Sequence, residues 1–271
     1  MTSTLSENSS IVIPHMDDRP PTTRDGNAIN IELVDLTKSF GEHRALDDVS
    51  LSIAAGECVA VVGESGSGKT TMLRCINRLI DPDSGSVSIN ARDIRSMNLV
   101  ELRRSLGYVP QDGGLMPHWR VLRNVSLVPW LSAMHDADER ALAALRMVGF
   151  NPSDVASRWP HELSGGQRQR VAMARALAAG QSCLLLDEPF GALDAITRAE
   201  LQNAFAKMRA QAGFTAILVT HDLREAMSLG DRVAVMHLGK IEQVSSPEDL
   251  RANPSTDYVR RLLAYATGLK T

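Results

Sequence analysis

Eight consecutive residues, Gly63-Glu64-Ser65-Gly66-Ser67-Gly68-Lys69-Thr70, match the phosphate-cradling pattern G-x-x-x-x-G-K-[ST]. Glycines at this spacing let the backbone fold around a polyphosphate with its N–H groups pointing inward. A helix that starts directly after them adds the partial positive charge of its N-terminus, roughly half an elementary charge. Lys69 can reach the β- and γ-phosphates of a nucleotide, the Thr70 hydroxyl can ligate Mg²⁺, and Thr71 carries the cradle into the helix. A chance match is on the order of one in a hundred for a chain of this length, so nucleotide binding is the chemistry this stretch points to.

Such a cradle needs a strand before it and a helix after it. Cys58-Val59-Ala60-Val61-Val62 and residues 71–79 supply them. A second apolar run, Cys183-Leu184-Leu185-Leu186, reads as a buried parallel strand and ends in Asp187-Glu188-Pro189. In open α/β sheets ligands bind outside the carboxyl ends of the strands, where the cradle also leaves its own strand. Asp187 can hold Mg²⁺ directly or through its water shell. Glu188 is then free to orient or deprotonate an attacking water. Thr215-Ala216-Ile217-Leu218-Val219-Thr220 is another buried strand, ending at His221. A histidine there either faces solvent or hydrogen-bonds a γ-phosphate, and the shared rim favours the phosphate. Gln111 follows the same logic: it opens a loop, and its neutral amide suits contact with both Mg²⁺ and water.

The 271 residues carry a formal net charge of -3, which gives no support to a nucleic-acid surface. No apolar run approaches the roughly 20 residues needed to span a bilayer, so work at a membrane would need a partner to hold the chain there. Cys58, Cys75 and Cys183 lack metal-ligand spacing, and a reducing, cytosolic setting fits them.

Residues 1–27, rich in Ser, Thr, Asp and Pro, read as a disordered leader. Residues 29–53 alternate as strands do, with Thr37-Lys38-Ser39-Phe40-Gly41 as a turn between them. Phe40 is either a turn-packing residue or a flat face for an adenine ring; the local pattern leaves both open. Residues 99–148 read as mostly helical, with Tyr108-Val109-Pro110-Gln111 in a connecting loop, which makes an inserted helical subdomain of roughly 97–179. Ser164 is a natural N-cap for the helix after it. Further helices are expected at about 195–212 and 224–229, a strand pair turning at Gly239-Lys240, and two small helices from Pro247 onward.

Taken in order, residues 63–70, Gln111, Leu163-Ser164-Gly165-Gly166-Gln167, residues 184–188, Ala192-Leu193-Asp194 and His221 resemble the motif set of ABC transporter ATPase subunits. The resemblance covers nearly everything from residue 29 to residue 244. The Leu-Ser-Gly-Gly-Gln run is its most diagnostic piece, with a chance match on the order of a few in ten thousand. It implies an α/β fold of the P-loop NTPase type: a mostly parallel sheet, an N-terminal antiparallel β subdomain and the inserted helical subdomain. The ATPase domain then spans residues 28–246, and residues 247–271 form a short C-terminal helical extension.

The same resemblance implies ATP and Mg²⁺ as cofactors and assigns roles. Lys69, Gln111, Glu188 and His221 form the catalytic set, and Thr70, Gln111 and Asp187 surround the metal. Two copies face head to tail, so that each ATP lies between the loop Gly63, Glu64, Ser65, Gly66, Ser67, Gly68, Lys69 and Thr70 of one copy and Ser164, Gly165, Gly166 and Gln167 of the other. Asp194 resembles the loop residue that communicates across the dimer. Phe40 matches the aromatic that stacks on adenine, where Tyr is more usual. The Gln111 loop resembles the element that couples to an integral-membrane permease.

Residues 74–85 and 247–254 look like those of bacterial importers, which implies a solute-binding protein as an indirect partner and a place on the cytoplasmic face of the membrane, peripheral via the permease. Residues 103–131 are most similar to ATPases serving glycine betaine, choline and related quaternary amines, with a departure at residues 112–119. The long regulatory tail of some osmolyte ATPases is not expected here, so its gating is not carried over. Polar amino-acid importers share much of the same sequence. An exporter or lipid-transport ATPase is disfavoured by the importer-like stretch at 247–254. A soluble nucleic-acid-acting relative would carry coiled-coil insertions or two cassettes, and a P-loop kinase has no use for residues 163–167.

Overall fold

The computed structural model describes residues 28–191 and 193–267; the leader expected over 1–27 and Ala192 lie outside them. In chain order the strands are β1 (Ile31–Phe40), β2 (His43–Ile53), β3 (Cys58–Val62), β4 (Ser84–Ile89), β5 (Arg92–Asp93), β6 (Leu106–Val109), β7 (Cys183–Asp187), β8 (Thr215–Thr220), β9 (Arg232–His237) and β10 (Lys240–Ser245). The α-helices are α1 (Lys69–Ile76), α2 (Leu99–Ser105), α3 (Val121–Val125), α4 (Leu127–Leu131), α5 (Ala137–Met147), α6 (Pro152–Val155), α7 (Gly165–Leu177), α8 (Ala195–Ala212), α9 (Leu223–Leu229), α10 (Pro247–Ala252) and α11 (Asp257–Thr267).

A strand with no polar position must be covered on both faces. All five residues of β3 are buried. Cys58, Ala60 and Val62 enter one core and Val59 and Val61 the other, as the two-residue period of a strand requires. β7 and β8 repeat the pattern: Leu184, Leu186, Ala216 and Leu218 join the first core, Cys183, Leu185, Ile217 and Val219 the second. Helices α7, α8 and α9 cover the first face, while α1 and a second, antiparallel sheet cover the other. The main sheet runs β10-β9-β3-β8-β7-β6, parallel except for β10, and the smaller one runs β2-β1-β4-β5. The expected α/β architecture, with its mostly parallel core and N-terminal antiparallel sheet, is what forms.

Two segments differ from the sequence reading. Thr37-Lys38-Ser39-Phe40 is not a turn but the end of β1, whose hairpin closes over Gly41 and Glu42, with Phe40 opposite His43. Register shifts between Leu33 and Leu36, and again before Ser39, break the alternation, so the strand pattern is lost in the sequence. Asp35 takes a φ of 51° at the first shift, which is what keeps Leu36 inside after Leu33. The second difference is Leu106–Val109, expected in helix and loop but found as the edge strand β6, paired in parallel with β7. Leu106 is both the C-cap of α2 and the first residue of β6, so helix and strand share a residue with no loop between them. Gly107 lets this strand sit under α7: a Cβ there would lie 2.7 Å from the Ala176 carbonyl oxygen.

Candidate functional site

β3, β7 and β8 are parallel neighbours, so their carboxyl ends share one edge, and the loop after each carries a polar group to it. The loop after β3 depends on its glycines for close approach. A Cβ on Gly63 would sit 2.1 Å from the Met236 carbonyl oxygen, and one on Gly68, which has a φ of 102°, would sit 2.3 Å from that of Ala45. Gly66, at φ 82°, meets nothing within 4 Å; it is glycine for its backbone conformation alone. Gly239 N–H donates to the Ser67 carbonyl at 3.2 Å, so the β9–β10 turn braces the loop from behind.

Lys69 is folded back over the loop and buried. Its Nζ donates to the Gly63 carbonyl at 2.7 Å, to that of Glu64 at 2.8 Å and to Ser67 Oγ at 3.2 Å. Burial pulls the Lys69 ammonium below its ordinary range, while the charges of Glu188, Asp187 and Glu64 resist. Gly68, the N-cap of α1, offers no side-chain cap, and the first turn holds no acidic residue. The positive end of α1 therefore faces the cavity uncompensated. Thr70 Oγ1 donates to Asp187 Oδ1 at 2.9 Å. Glu64 N–H reaches Tyr258 Oη of α11 at 3.4 Å.

Glu188 follows β7 with a φ of 49°, a conformation that costs a non-glycine residue energy and persists only where the surroundings impose it. Here its N–H donates to the Val219 carbonyl of β8 at 2.9 Å. Its Oε2 then accepts from Gln111 Nε2 at 3.2 Å and lies 3.2 Å from His221 Nδ1. Three loops thus bring Gln111, Glu188 and His221, far apart in sequence, onto one oxygen atom. The loop after Gln111 is anchored to α7, because Arg175 donates to the carbonyls of Gly114 at 2.6 Å and Gly113 at 2.9 Å.

Above these groups lies an open cavity of about 250 Å³ lined by Phe40, Ser65, Gly66, Gly68, Lys69, Thr70, Thr71, Gln111 and Glu188, joined by His43 and Ala45. Phe40 is half exposed at the cavity mouth, with Lys38 Nζ over its ring at 5.6 Å from the centroid. His43 and Ala45 escaped sequence reasoning because only the pairing of β2 with β1 brings them there. Among the described residues no group of three or more His, Cys, Asp or Glu is set to hold a metal ion. Thr70, Gln111 and the buried Asp187 fit Mg²⁺ nonetheless, since that ion is commonly held by one or two carboxylates together with substrate phosphates and water.

The remaining sequence-predicted residues stand apart from the cavity. Ser164 caps α7: its Oγ accepts from Gln167 N–H at 3.1 Å, and Gln167 Oε1 accepts from Ser164 N–H at 3.0 Å. Ser164 and Gly165 are exposed, Gly166 and Gln167 partly so, and none of the four lines the cavity. Asp194 caps α8 by accepting from the N–H groups of Ile196 at 3.1 Å and Thr197 at 3.0 Å. Those backbone bonds, that of Thr197 first, hold its carboxyl below the usual range.

Known proteins resemble this chain. A family model described as ABC transporter matches residues 46–191. The choline transport ATP-binding protein OpuBA of Bacillus subtilis is 44% identical over 236 residues, 86% of this chain and 62% of the relative. The Fe(3+) ions import ATP-binding protein FbpC of Pseudomonas fluorescens is 46% identical over 226 residues, 83% of this chain and 63% of the relative. The chain thus spans about three fifths of the length of these curated relatives. A solved dimeric post-hydrolysis structure of the ATP-binding cassette MJ0796 bound to ADP and Pi superposes with a TM-score of 0.75 at 35% identity, over 80% of this chain and 98% of that one.

Proposed function

The chain belongs to the ABC transporter family, and from that premise we propose that it is the ATP-hydrolysing subunit of a solute importer, working as a head-to-tail pair around two MgATP. One observation carries this reading. The cavity is lined by Lys69, Thr70, Gln111 and Glu188 of one copy, with Asp187 bonded to Thr70 and His221 beside Glu188, while the capped helix end at Ser164, Gly165, Gly166 and Gln167 lines no part of it and is exposed or partly so. A helix N-terminus with glycine N–H groups suits a γ-phosphate, and a second copy is what would deliver it.

The roles follow from chemistry. Phe40 stacks on the adenine ring. Lys69 exchanges its carbonyl contacts for phosphate oxygens, and the amides of residues 63–70 surround the phosphates, with Thr71 beside them. Bound Mg²⁺, held by Thr70, Asp187 and Gln111, would neutralise charge on the phosphate oxygens. Glu188 takes a proton from water as the water oxygen attacks the γ-phosphorus; the bond to the β,γ-bridging oxygen breaks, leaving ADP and phosphate. His221, sharing Glu188 Oε2 with Gln111, steadies that carboxylate and reaches the γ-phosphate. Asp194 passes the state of one pocket to the other.

The other partners are an integral-membrane permease, docked on the helical subdomain at roughly 97–179 and its Gln111 loop, and indirectly a solute-binding protein. No described helix is long and apolar enough to cross a membrane, so the permease would hold the chain at the cytoplasmic face. The solute we propose is a quaternary amine such as choline or glycine betaine, in line with the likeness to OpuBA. The similar identity to FbpC favours Fe(3+) as the second reading.

A mixing experiment tests the shared pocket. Lys69→Ala disables one cradle and Ser164→Arg one helix cap. Each variant alone is expected to be inactive, whereas mixed pairs hold one intact pocket and recover ATP hydrolysis. Failure of the mixture to regain any turnover would overturn the head-to-tail assignment. Uptake of labelled choline, glycine betaine and iron by cells lacking the chain separates the two solute readings.

A further inference from the structure

One buried carboxylate is not absorbed by the cradle. Glu225 of α9 is 7% exposed, and it accepts hydrogen bonds from Thr220 Oγ1 at 2.6 Å and Gln202 Nε2 at 2.8 Å. Burying a carboxylate is costly unless its oxygens are satisfied, so a residue of this kind implies a task for the groups it joins. Its two partners belong to different elements. Thr220 closes β8 directly before His221, whose Nδ1 lies 3.2 Å from Glu188 Oε2. The same Thr220 Oγ1 accepts from Asp222 N–H at 3.0 Å, on the far side of the histidine, so His221 is bracketed by one hydroxyl.

The other partner leads to the opposite end of the site. Gln202 lies on α8, whose N-cap is Asp194. Arg198 stands between them and donates to the Leu193 carbonyl at 3.0 Å. Positions 194, 198 and 202 recur at four-residue spacing and so share one helix face. The geometry points to Glu225 as a positioning residue that latches α8, and with it the Asp194 cap, to the backbone presenting His221 to Glu188. This rests on the reading above, in which His221 serves the γ-phosphate and Asp194 faces the partner copy.

Burial pushes the Glu225 carboxyl up, and Asp222 adds to that; the Thr220 bond, Arg198 and Gln202 pull it back. Both hydrogen-bond partners donate, so the ionised acceptor is the form they hold. Motion at Asp194 when a second copy arrives would reach His221 through two hydrogen bonds rather than through the sheet.

The test is steady-state ATP hydrolysis by the full chain, with affinity for a fluorescent ATP analogue measured alongside. Glu225→Ala and Gln202→Leu are expected to lower kcat about tenfold while KM and nucleotide affinity stay within about twofold. Glu225→Gln, which keeps an oxygen to accept from Thr220 and can donate to Gln202 once that amide turns its oxygen inward, restores most of the rate. In a His221→Ala background, Glu225→Ala adds no further loss, because both act through the same side chain. Independent, multiplying losses, or parallel losses of rate and affinity, would mean that Glu225 only supports the fold and would overturn the latch. Should Glu225→Ala fail to fold, Gln202→Leu probes the same link with the carboxylate still bonded to Thr220. Wild-type turnover in His221→Ala alone would count instead against the reading of the site.

Discussion

Thr70 Oγ1 and Asp187 Oδ1 are 2.9 Å apart, so one hydrogen bond joins the first turn of α1 to the end of β7 across 117 residues of sequence. It ties the phosphate loop to the carboxylate edge, and it does so with a carboxyl that folding has buried. Burial is the main cause that pushes the Asp187 carboxyl above its usual range, with Glu188 adding to it and Thr70, Arg74 and Lys69 opposing. A carboxyl raised on folding binds its proton more tightly in the native state. Its contribution to stability is therefore largest in acid and falls as pH rises through the raised value.

Asp187→Asn removes that penalty while leaving an oxygen to accept from Thr70. Thermal unfolding without nucleotide is expected to occur roughly 2–4 °C higher at neutral pH, on the scale of about 1 kcal/mol. The gain should shrink toward pH 4. The stabilisation that MgATP gives the native chain should be lost in the same variant. An unchanged neutral-pH midpoint would show that the native carboxylate is adequately solvated.

Glu188→Gln separates binding from chemistry. The amide can keep the contacts with Gln111 and His221 but cannot take a proton from water. ATP affinity is expected to stay within about threefold while turnover falls about 10²-fold or more. Light scattering with ATP present should detect persistent dimers of the variant. Turnover near the wild-type rate would release Glu188 from the role of base.

Gly66 and Gly68 differ in a way that a pair of alanine variants resolves. Gly66→Ala meets open space and bears only the cost of a left-handed alanine, about 1–2 kcal/mol. Gly68→Ala bears that cost and also places its Cβ 2.3 Å from the Ala45 carbonyl oxygen. Gly66→Ala is expected to fold with a modest loss of midpoint, and Gly68→Ala to lose nucleotide binding or the fold itself. Circular dichroism melts and analogue binding on both variants check the order.

The cradle was legible because its chemistry is local: Gly63 to Thr70 carry their own strand, turn and helix signals in one run of residues. Asp187 and His221 were legible for a related reason, since the first ends β7 and the second follows β8, both strands with an apolar interior. Leu106–Val109 was not, because four residues are too few to show a period and Leu106 belongs at once to a helix end and a strand start. His43 and Ala45 reach the cavity only through the register of β2 on β1. Glu225 is more remote still: nothing local to it announces Thr220 or Gln202, and the link exists only once α8, β8 and α9 have packed. What the sequence hid is thus set by pairing between distant segments, whereas what it displayed is set within a few residues.

Asp231, just before β9, accepts from the Cys58 N–H at 2.8 Å and pairs with both terminal nitrogens of Arg209. The Arg209 bonds first, then that of Cys58, hold the Asp231 carboxyl below its usual range against the effect of burial. A carboxyl lowered on folding contributes stability above the usual carboxylate range and loses it as pH falls through the lowered value. The ion pair is half exposed on the Asp231 side, so its own worth is small, about 0–1 kcal/mol after screening. The Cys58 amide is different, since it begins β3 and has no water to turn to; leaving it unpaired costs about 1–3 kcal/mol. Asp231→Ala is therefore expected to lower the midpoint of urea unfolding more than Arg209→Ala does, and Asp231→Asn, which keeps an acceptor for Cys58, to fall near Arg209→Ala. Between pH 7 and pH 3 the wild type should lose stability faster than Asp231→Ala, so that the two curves draw closer in acid without meeting, since a protonated carboxyl still accepts from the Cys58 amide. Equal costs for Asp231→Ala and Arg209→Ala at pH 7 would place the stabilisation in the ion pair and not in the buried amide.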